Sequence, residues 1–400
     1  MTVYAQFGLE PIINAAGAST RVGGPRMHPA AAAAMAEAAR ACVPLDRLEG
    51  AASTIIADVT GAEAGYVTAG AAAGLTLSAA ACLAGLDIGI MDRLPDTTGL
   101  PNEIVVSREQ RNGYDHALRA AGARLVEVGM NERVAGAGVR RTEAWEFEAA
   151  INDRTVAVAY FATPDSAPPV EEVAAVCRRR SVPLIIDAAG QLPPAANLRR
   201  FVEAGADLVT FSGGKGLRGP QSTGIVAGRR DMIMSIALQH LDLDEHWSTW
   251  NPPHNLIDRA RLNGFPRHGI GRGFKVAREE IVALLVALRY FVAGDYHADI
   301  TRFHAHLQFV ADALAGVPGV RAAIVGGIEE DRIPVLELAL DDARLRLTAF
   351  EVNQKLKTGS PQVYVNEASL HQGVLVLNPL ALEECQLEPL ILRLRAVLSA

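Results

Sequence analysis

Two side chains at the ends of apolar runs carry the most specific chemistry in this chain. Asp187 closes the run Val182-Pro183-Leu184-Ile185-Ile186, and Lys215 follows Leu208-Val209-Thr210-Phe211-Ser212-Gly213-Gly214. Both runs predict short buried strands, the first ended by the carboxylate and the second by the amine. This pair suits pyridoxal phosphate (PLP): a lysine forms a Schiff base with the cofactor aldehyde, and a carboxylate keeps the pyridinium nitrogen protonated. Desolvation at a strand end would also favour the neutral, nucleophilic amine. The bland alternatives are a solvated lysine and an aspartate capping a helix. Two such groups at two strand ends favour the cofactor reading.

A third segment fits the same ligand. Thr68-Ala69-Gly70-Ala71-Ala72-Ala73-Gly74 places tiny side chains where a strand becomes a helix, and exposed N–H groups at a helix start bind phosphate. Competing nucleotide motifs fail on spacing. A Walker loop would need glycine at Val209 and Ser or Thr at Gly216, and Gly269-Ile270-Gly271-Arg272-Gly273 follows no strand and lacks the third glycine of a dinucleotide loop. The cysteines, Cys42, Cys82, Cys177 and Cys385, show no metal or disulfide spacing, so no metal is expected.

Strands and helices alternate from about Gly65 to Ala227, which predicts an α/β fold with a mostly parallel sheet flanked by helices and ligands beyond the carboxyl ends of the strands. Residues 241–273 read as an irregular connection rich in Trp, Pro and His. Two long helices then precede a smaller C-terminal α+β region. The expected domains are an N-terminal extended segment and helix (1–50), a large α/β domain (51–255) and a small α+β domain (256–400).

The chain has 400 residues, half of them apolar and 21% charged, which predicts a globular protein. A net charge of −7 argues against a nucleic-acid partner, because phosphate backbones are bound by clustered Lys and Arg. No leader pattern precedes the first elements, and charged residues interrupt the alanine-rich stretches. A cytoplasmic protein without a membrane partner is expected.

Four ordered segments give a family resemblance: Ile12-Ile13-Asn14-Ala15-Ala16-Gly17, Ala120 to Gly129, Gly205 to Lys215, and Gly219-Pro220-Gln221. They resemble the selenocysteine-synthase-like branch of fold-type-I PLP enzymes, whose fold is the PLP-dependent transferase-like fold. Arg111-Asn112-Gly113-Tyr114-Asp115-His116-Ala117 and Gly269 to Val276 are similar to its D-glucosaminate-6-phosphate ammonia-lyase-like members. The resemblance implies a homo-oligomer with active sites shared between subunits. By position, Ser212 and the Gly70, Ala71 and Ala72 backbone, with Thr68 before them, would hold the cofactor phosphate, and Ser222 or Thr223 would reach a neighbour's phosphate. Where relatives stack a histidine on the cofactor ring, this chain offers Gln110 or Arg111. Arg272 and Lys275 could grip a substrate carboxylate or phosphate or simply solvate a helix start, and Arg21 and Asn14 are further substrate candidates, Asn14 being equally a turn former.

The implied reaction is α,β-elimination on a small hydroxylated amino acid or amino sugar acid, giving a 2-oxo acid and ammonia. A seryl-tRNA selenium transferase shares the elimination half but would need a basic tRNA-binding element, and the Asn14 motif begins almost at the terminus of an acidic chain. Racemase and aldolase chemistry use the same Cα activation. A non-enzymatic scaffold would have no chemical need for Asp187 and Lys215.

Overall fold

The computed structural model describes residues 2–130 and 140–399. Within them the strands, in chain order, are β1 (Ile13–Ala15), β2 (Ala64–Thr68), β3 (Glu103–Ser107), β4 (Arg124–Val128), β5 (Thr155–Phe161), β6 (Leu184–Asp187), β7 (Leu208–Ser212), β8 (Gly224–Gly228), β9 (Val320–Val325), β10 (Val335–Leu340), β11 (Val363–Val365) and β12 (Val374–Leu377). Contacts divide the chain into two compact units. The larger is Met27–Val292, and the smaller joins Met1–Arg26 to Ala293–Ala400. This differs from the expected division at 50 and 255: residues 256–292 pack in the larger unit, and the first 26 residues belong to the smaller one.

The larger unit holds a seven-stranded sheet of order β2-β8-β7-β6-β5-β3-β4, in which β8 alone runs antiparallel to its two neighbours. Except for the edge strand β4, which carries the exposed Arg124 and Glu127, its strands are mostly buried apolar runs covered on both faces, as parallel sheets require. Tyr66, Ile104, Val106, Phe161, Ile185, Leu208 and Val226 form one core with the helices on that face. The Gly70–Ala84 helix is buried along most of its length against this core, which explains why it is apolar on every side.

Helix Leu45–Thr60 buries Glu49, Ala52, Ser53, Ile56 and Thr60, a stripe at helical spacing, and ends on Gly61 in the left-handed region. Two of these side chains cover the open edge of β2. Gly65 N donates to Ser53 Oγ at 3.1 Å and Val67 N to Glu49 Oε2 at 3.1 Å. An edge strand otherwise presents unpaired N–H groups, so this helix closes the sheet on that side. The cost falls on Glu49, which is 1% exposed and whose carboxyl is pushed up to about 8 by burial, the Val67 N–H pulling the other way.

In the smaller unit, β1 pairs in parallel with β11, and β12, β10 and β9 form an antiparallel sheet. Ile13 and Ala15 lie in a core with Leu307, Val310, Leu338, Val352 and Leu390. The N-terminal extended lead is thus a strand whose partner lies at the other end of the chain. Among the described residues no single helix is long and apolar enough to cross a membrane.

The Glu49 environment predicts a pH signature. The folded state holds this proton from the ordinary value near 4.5 up to about 8, so the stability Glu49 contributes falls as pH rises through that window and is level above it. Glu49→Gln keeps an acceptor for Val67 N without the charge. Its stability relative to wild type is expected to improve by on the order of a few kcal/mol between pH 5 and pH 9, measured by urea unfolding. Parallel profiles for the two proteins would contradict the assignment.

Candidate active site

The strand register gathers the sequence-predicted residues of the larger unit at one edge of the sheet. Thr68 ends β2 opposite Gly224 of β8, and Ser212 ends β7 opposite the same Gly224. Asp187 ends β6 opposite Thr210 of β7 and Phe161 of β5. The carboxyl ends of β2, β7, β6 and β5 therefore share one rim, where α/β folds bind ligands.

Lys215 does not end its strand. β7 stops at Ser212, and Lys215 lies in the turn that follows. The reason is steric: a Cβ on Gly214 would lie 2.5 Å from Gln221 Cα, and one on Gly216 would lie 2.1 Å from Leu192 O. The turn is threaded between two other backbone segments, and only glycine on either side of Lys215 fits. Gly213 N donates to Thr223 O at 2.8 Å, and Gly219 N to Gly213 O at 2.9 Å, which closes the loop.

Asp187 is partly buried, and burial pushes its carboxyl above the ordinary range, while the Ala189 N–H and the Lys215 ammonium pull it back. Ala189 N reaches Asp187 Oδ1 at 2.9 Å. A carboxylate whose burial is only partly compensated is a ready partner for a cationic ring nitrogen. Beside it, the buried hydroxyl of Thr210 has no hydrogen-bond partner.

The start of the Gly70–Ala84 helix is open. Gly70 has φ +86°, a left-handed conformation that a side chain would strain, and no side chain caps the helix. Thr68 Oγ1 turns to Gly70 O at 3.0 Å rather than to the first N–H groups. A Cβ on Gly224 would lie 2.5 Å from Gly70 C and 2.7 Å from Ala71 N, so this helix start lies against the strand shared by Thr68 and Ser212. An anion there meets N–H donors without a competing carboxylate in the first turn. The rim as a whole, with a phosphate-ready helix start, a partly buried carboxylate and a lysine on a tight turn, fits pyridoxal phosphate.

Gln110 is buried with both ends of its amide used: Oε1 accepts from Phe161 N at 3.0 Å, and Nε2 donates to Ala167 O at 3.2 Å. It is thereby held at the end of β5. Arg111 is engaged elsewhere, paired with Asp115 at 2.5 Å and with Glu127. Burial pushes the Asp115 carboxyl up, but the hydrogen bonds from Arg111 and Arg119 outweigh it and hold the group below its usual range. Thr223 spends its hydroxyl on Pro220 O at 2.7 Å, while Ser222 Oγ bonds Glu280.

Arg272 pairs with Asp242, and Lys275 is exposed. Both line a cavity of about 490 Å³ whose walls do not include Lys215 or Asp187. Asn14 and Arg21 belong to the smaller unit. Asn14 is a turn former there, its Nδ2 donating to Gly24 O at 3.0 Å and its Oδ1 accepting from Ala16 N at 2.9 Å. Arg21 pairs with Glu367 at 2.7 Å, and the latter's carboxyl, despite burial, is brought down to about 2 by hydrogen bonds from Arg21, Asn353 and Lys357.

Sequence reasoning missed Glu280, whose link to Ser222 spans 58 positions, and the Ala189 N–H. One signal was legible and unused: the chain has only four lysines, Lys215, Lys275, Lys355 and Lys357. Lys355 and Lys357 lie in the helix Ala349–Lys357, and Lys357 bonds Glu367. Lys215 alone follows a strand of the parallel sheet.

This architecture and rim define a fold-type-I PLP-dependent enzyme. Residues 46–243 match the family model described as L-seryl-tRNA selenium transferase. The D-glucosaminate-6-phosphate ammonia lyase of Salmonella typhimurium is 30% identical over 99% of this chain and 97% of its own length. The 5'-C-glycyluridine monooxygenase-decarboxylase of a Streptomyces species is 32% identical over 99% and 92%. A solved structure of D-glucosaminate-6-phosphate ammonia-lyase aligns with a TM-score of 0.80 at 29% identity, covering 100% of this chain and 98% of the other. The chain belongs to the selenium-transferase-related family that includes the ammonia lyase.

The threaded turn makes a prediction. Gly216→Ala forces a methyl against Leu192 O and is expected to destabilise the enzyme by roughly 1–3 kcal/mol and to lower turnover by displacing Lys215. Unfolding and steady-state rates would check this; wild-type values for both would show that the turn has room to spare.

Proposed function

We propose that this enzyme is a PLP-dependent ammonia-lyase. It would catalyse α,β-elimination on a small hydroxylated amino acid or amino sugar acid, releasing a 2-oxo acid and ammonia. The observation that supports this most is the full-length similarity to the ammonia lyase together with Lys215 and Asp187 at one rim.

When bound, the cofactor supplies an electron sink that acidifies the substrate Cα–H. Asp187 would hold a proton on the ring nitrogen, its partly compensated burial making the pairing favourable. The open N–H groups of Gly70, Ala71 and Ala72, with Ser212, would hold the phosphate. Gln110, clamped at the end of β5, is better placed to cover the ring than Arg111, whose guanidinium already serves two carboxylates. Lys215 Nζ would take the Cα proton. A proton delivered to the departing β-hydroxyl lets water leave, and hydrolysis of the unsaturated product returns that water and frees ammonia. Arg272 and Lys275 would be the candidates in the larger unit for the substrate's anionic groups, in a cytoplasmic homo-oligomer with no nucleic-acid partner.

A second reading rests on the similarly close Streptomyces relative: oxidative decarboxylation of a glycyl-type amino acid. It would use the same Lys215 and Asp187. A panel of D- and L-hydroxy amino acids and phosphorylated amino sugar acids, assayed for 2-oxo acid and ammonia, separates the two. Oxo acid with equimolar ammonia and no oxygen uptake is expected. Oxygen uptake with carbon dioxide release would transfer the assignment to the second reading, and loss of optical rotation alone would make the enzyme a racemase.

Lys215→Ala is expected to lower turnover by on the order of 10²–10⁴-fold or more and to change the visible absorbance of the bound cofactor. Asp187→Asn should lower turnover while the cofactor is retained. Wild-type rates in either variant would refute the role given to that residue.

A further inference from the structure

Thr210 stands next to Asp187 in the sheet, the two being register partners on β7 and β6. Both point to the same face. Leu208 and Ile185, two residues before each, lie in the core shared with the Gly70–Ala84 helix, and the side chains of a strand alternate between faces. A Cβ on Gly74 would lie 2.9 Å from Thr210 Cγ2, so the helix with the open start passes directly over this threonine. Register partners on neighbouring strands, about 4.8 Å apart, are close enough for their side chains to meet.

Thr210 is fully buried, and its Oγ1 has no hydrogen-bond partner. An unpaired buried hydroxyl is destabilising, whereas valine has a similar shape without that cost. The other neighbours offer no acceptor to it. Its second register partner is Val226, Gly74 has no side chain, and Thr68 Oγ1 turns to Gly70 O. Asp187 is the only charged side chain among them. Ala189 N donates to Asp187 Oδ1, and Lys215 acts on the carboxyl only as a nearby charge. A carboxyl short of a donor thus sits beside a hydroxyl short of an acceptor.

We propose that Thr210 is a positioning residue for Asp187: with the cofactor ring in place, Thr210 Oγ1 donates its hydrogen to Asp187 Oδ2 and holds the ionised carboxylate towards the ring nitrogen. This rests on the reading of Asp187 as the partner of that nitrogen. The two side chains are not hydrogen-bonded in this structure, and a turn of Thr210 between staggered positions closes the gap. A cationic ring nitrogen favours the charged form of the carboxyl, and a buried carboxylate needs donors that a neutral acid does not.

A second unpaired hydroxyl serves as a control. Ser78 Oγ is also buried without a partner, but Ser78 lies one turn beyond Gly74, about 6 Å further along the helix and away from the rim.

The test titrates the apoenzyme with pyridoxal phosphate and follows the ring nitrogen of isotope-labelled cofactor in the holoenzyme by magnetic resonance. Thr210→Val is expected to weaken cofactor binding by on the order of tenfold and to move the ring signal towards that of unprotonated pyridine. Its apoenzyme should resist urea at least as well as wild type. Thr210→Ser, which keeps the hydroxyl, should restore affinity and signal, and Ser78→Ala should leave both at wild-type values. The inference is overturned if Thr210→Val binds the cofactor as wild type does with an unmoved ring signal, if Thr210→Ser behaves like Thr210→Val, or if Ser78→Ala reproduces the effect. Asp187→Asn separates the two levels. If it moves the ring signal and Thr210→Val does not, only the role of Thr210 falls; if neither moves it, the reading of Asp187 falls as well.

Discussion

A carboxylate at the end of a buried strand is stable only with a partner, and in the larger unit the partner for Asp187 is incomplete. The Ala189 N–H and the Lys215 ammonium offset part of the desolvation, and the group still holds its proton more tightly than in water. The surrounding rim is consistent with that one imbalance. Ala188 N, bonded to Thr210 O at 2.9 Å, fixes the backbone just past the strand end, and the turn that carries Lys215 has no room for side chains on its neighbours. A cationic ring nitrogen is the kind of group that would complete the balance, which is why the cofactor and the fold are one argument.

The same economy operates at the other side of the sheet. Helix Leu45–Thr60 covers the free edge of β2 with Ser53 and Glu49, and β2 leads directly into the open helix start at Gly70. Two acids, Glu49 buried and Asp187 partly buried, thus serve the sheet in different ways, one closing an edge and one facing a rim. Both are held above the ordinary carboxylate range by burial.

Much of this was legible in the sequence because it is local. Apolar runs ended by Asp187 and Thr68 marked strand ends, and tiny residues after Thr68 marked a helix start. Lys215 was placed at a strand end because Gly213-Gly214 reads equally as the last residues of a strand or the first of a turn; the deciding contacts, with Leu192 and Gln221, are not local. β1 was read as an extended lead because its partner β11 lies some 350 residues away. Arg111 looked available because nothing in its neighbourhood announces Glu127 as a second partner. The division at 255 followed a change of composition, whereas the compact units follow contacts. The relatives at 30% and 32% identity carry different activities, so the fold and family alone do not fix the reaction.

The most direct measurement is the attachment point of the cofactor. Borohydride reduction of the holoenzyme fixes the cofactor on whichever amine holds it, and digestion with mass spectrometry then locates it among four lysines. The account predicts modification of the peptide containing Lys215 and of no other lysine peptide. Label on Lys275, Lys355 or Lys357, or no label at all, would contradict it.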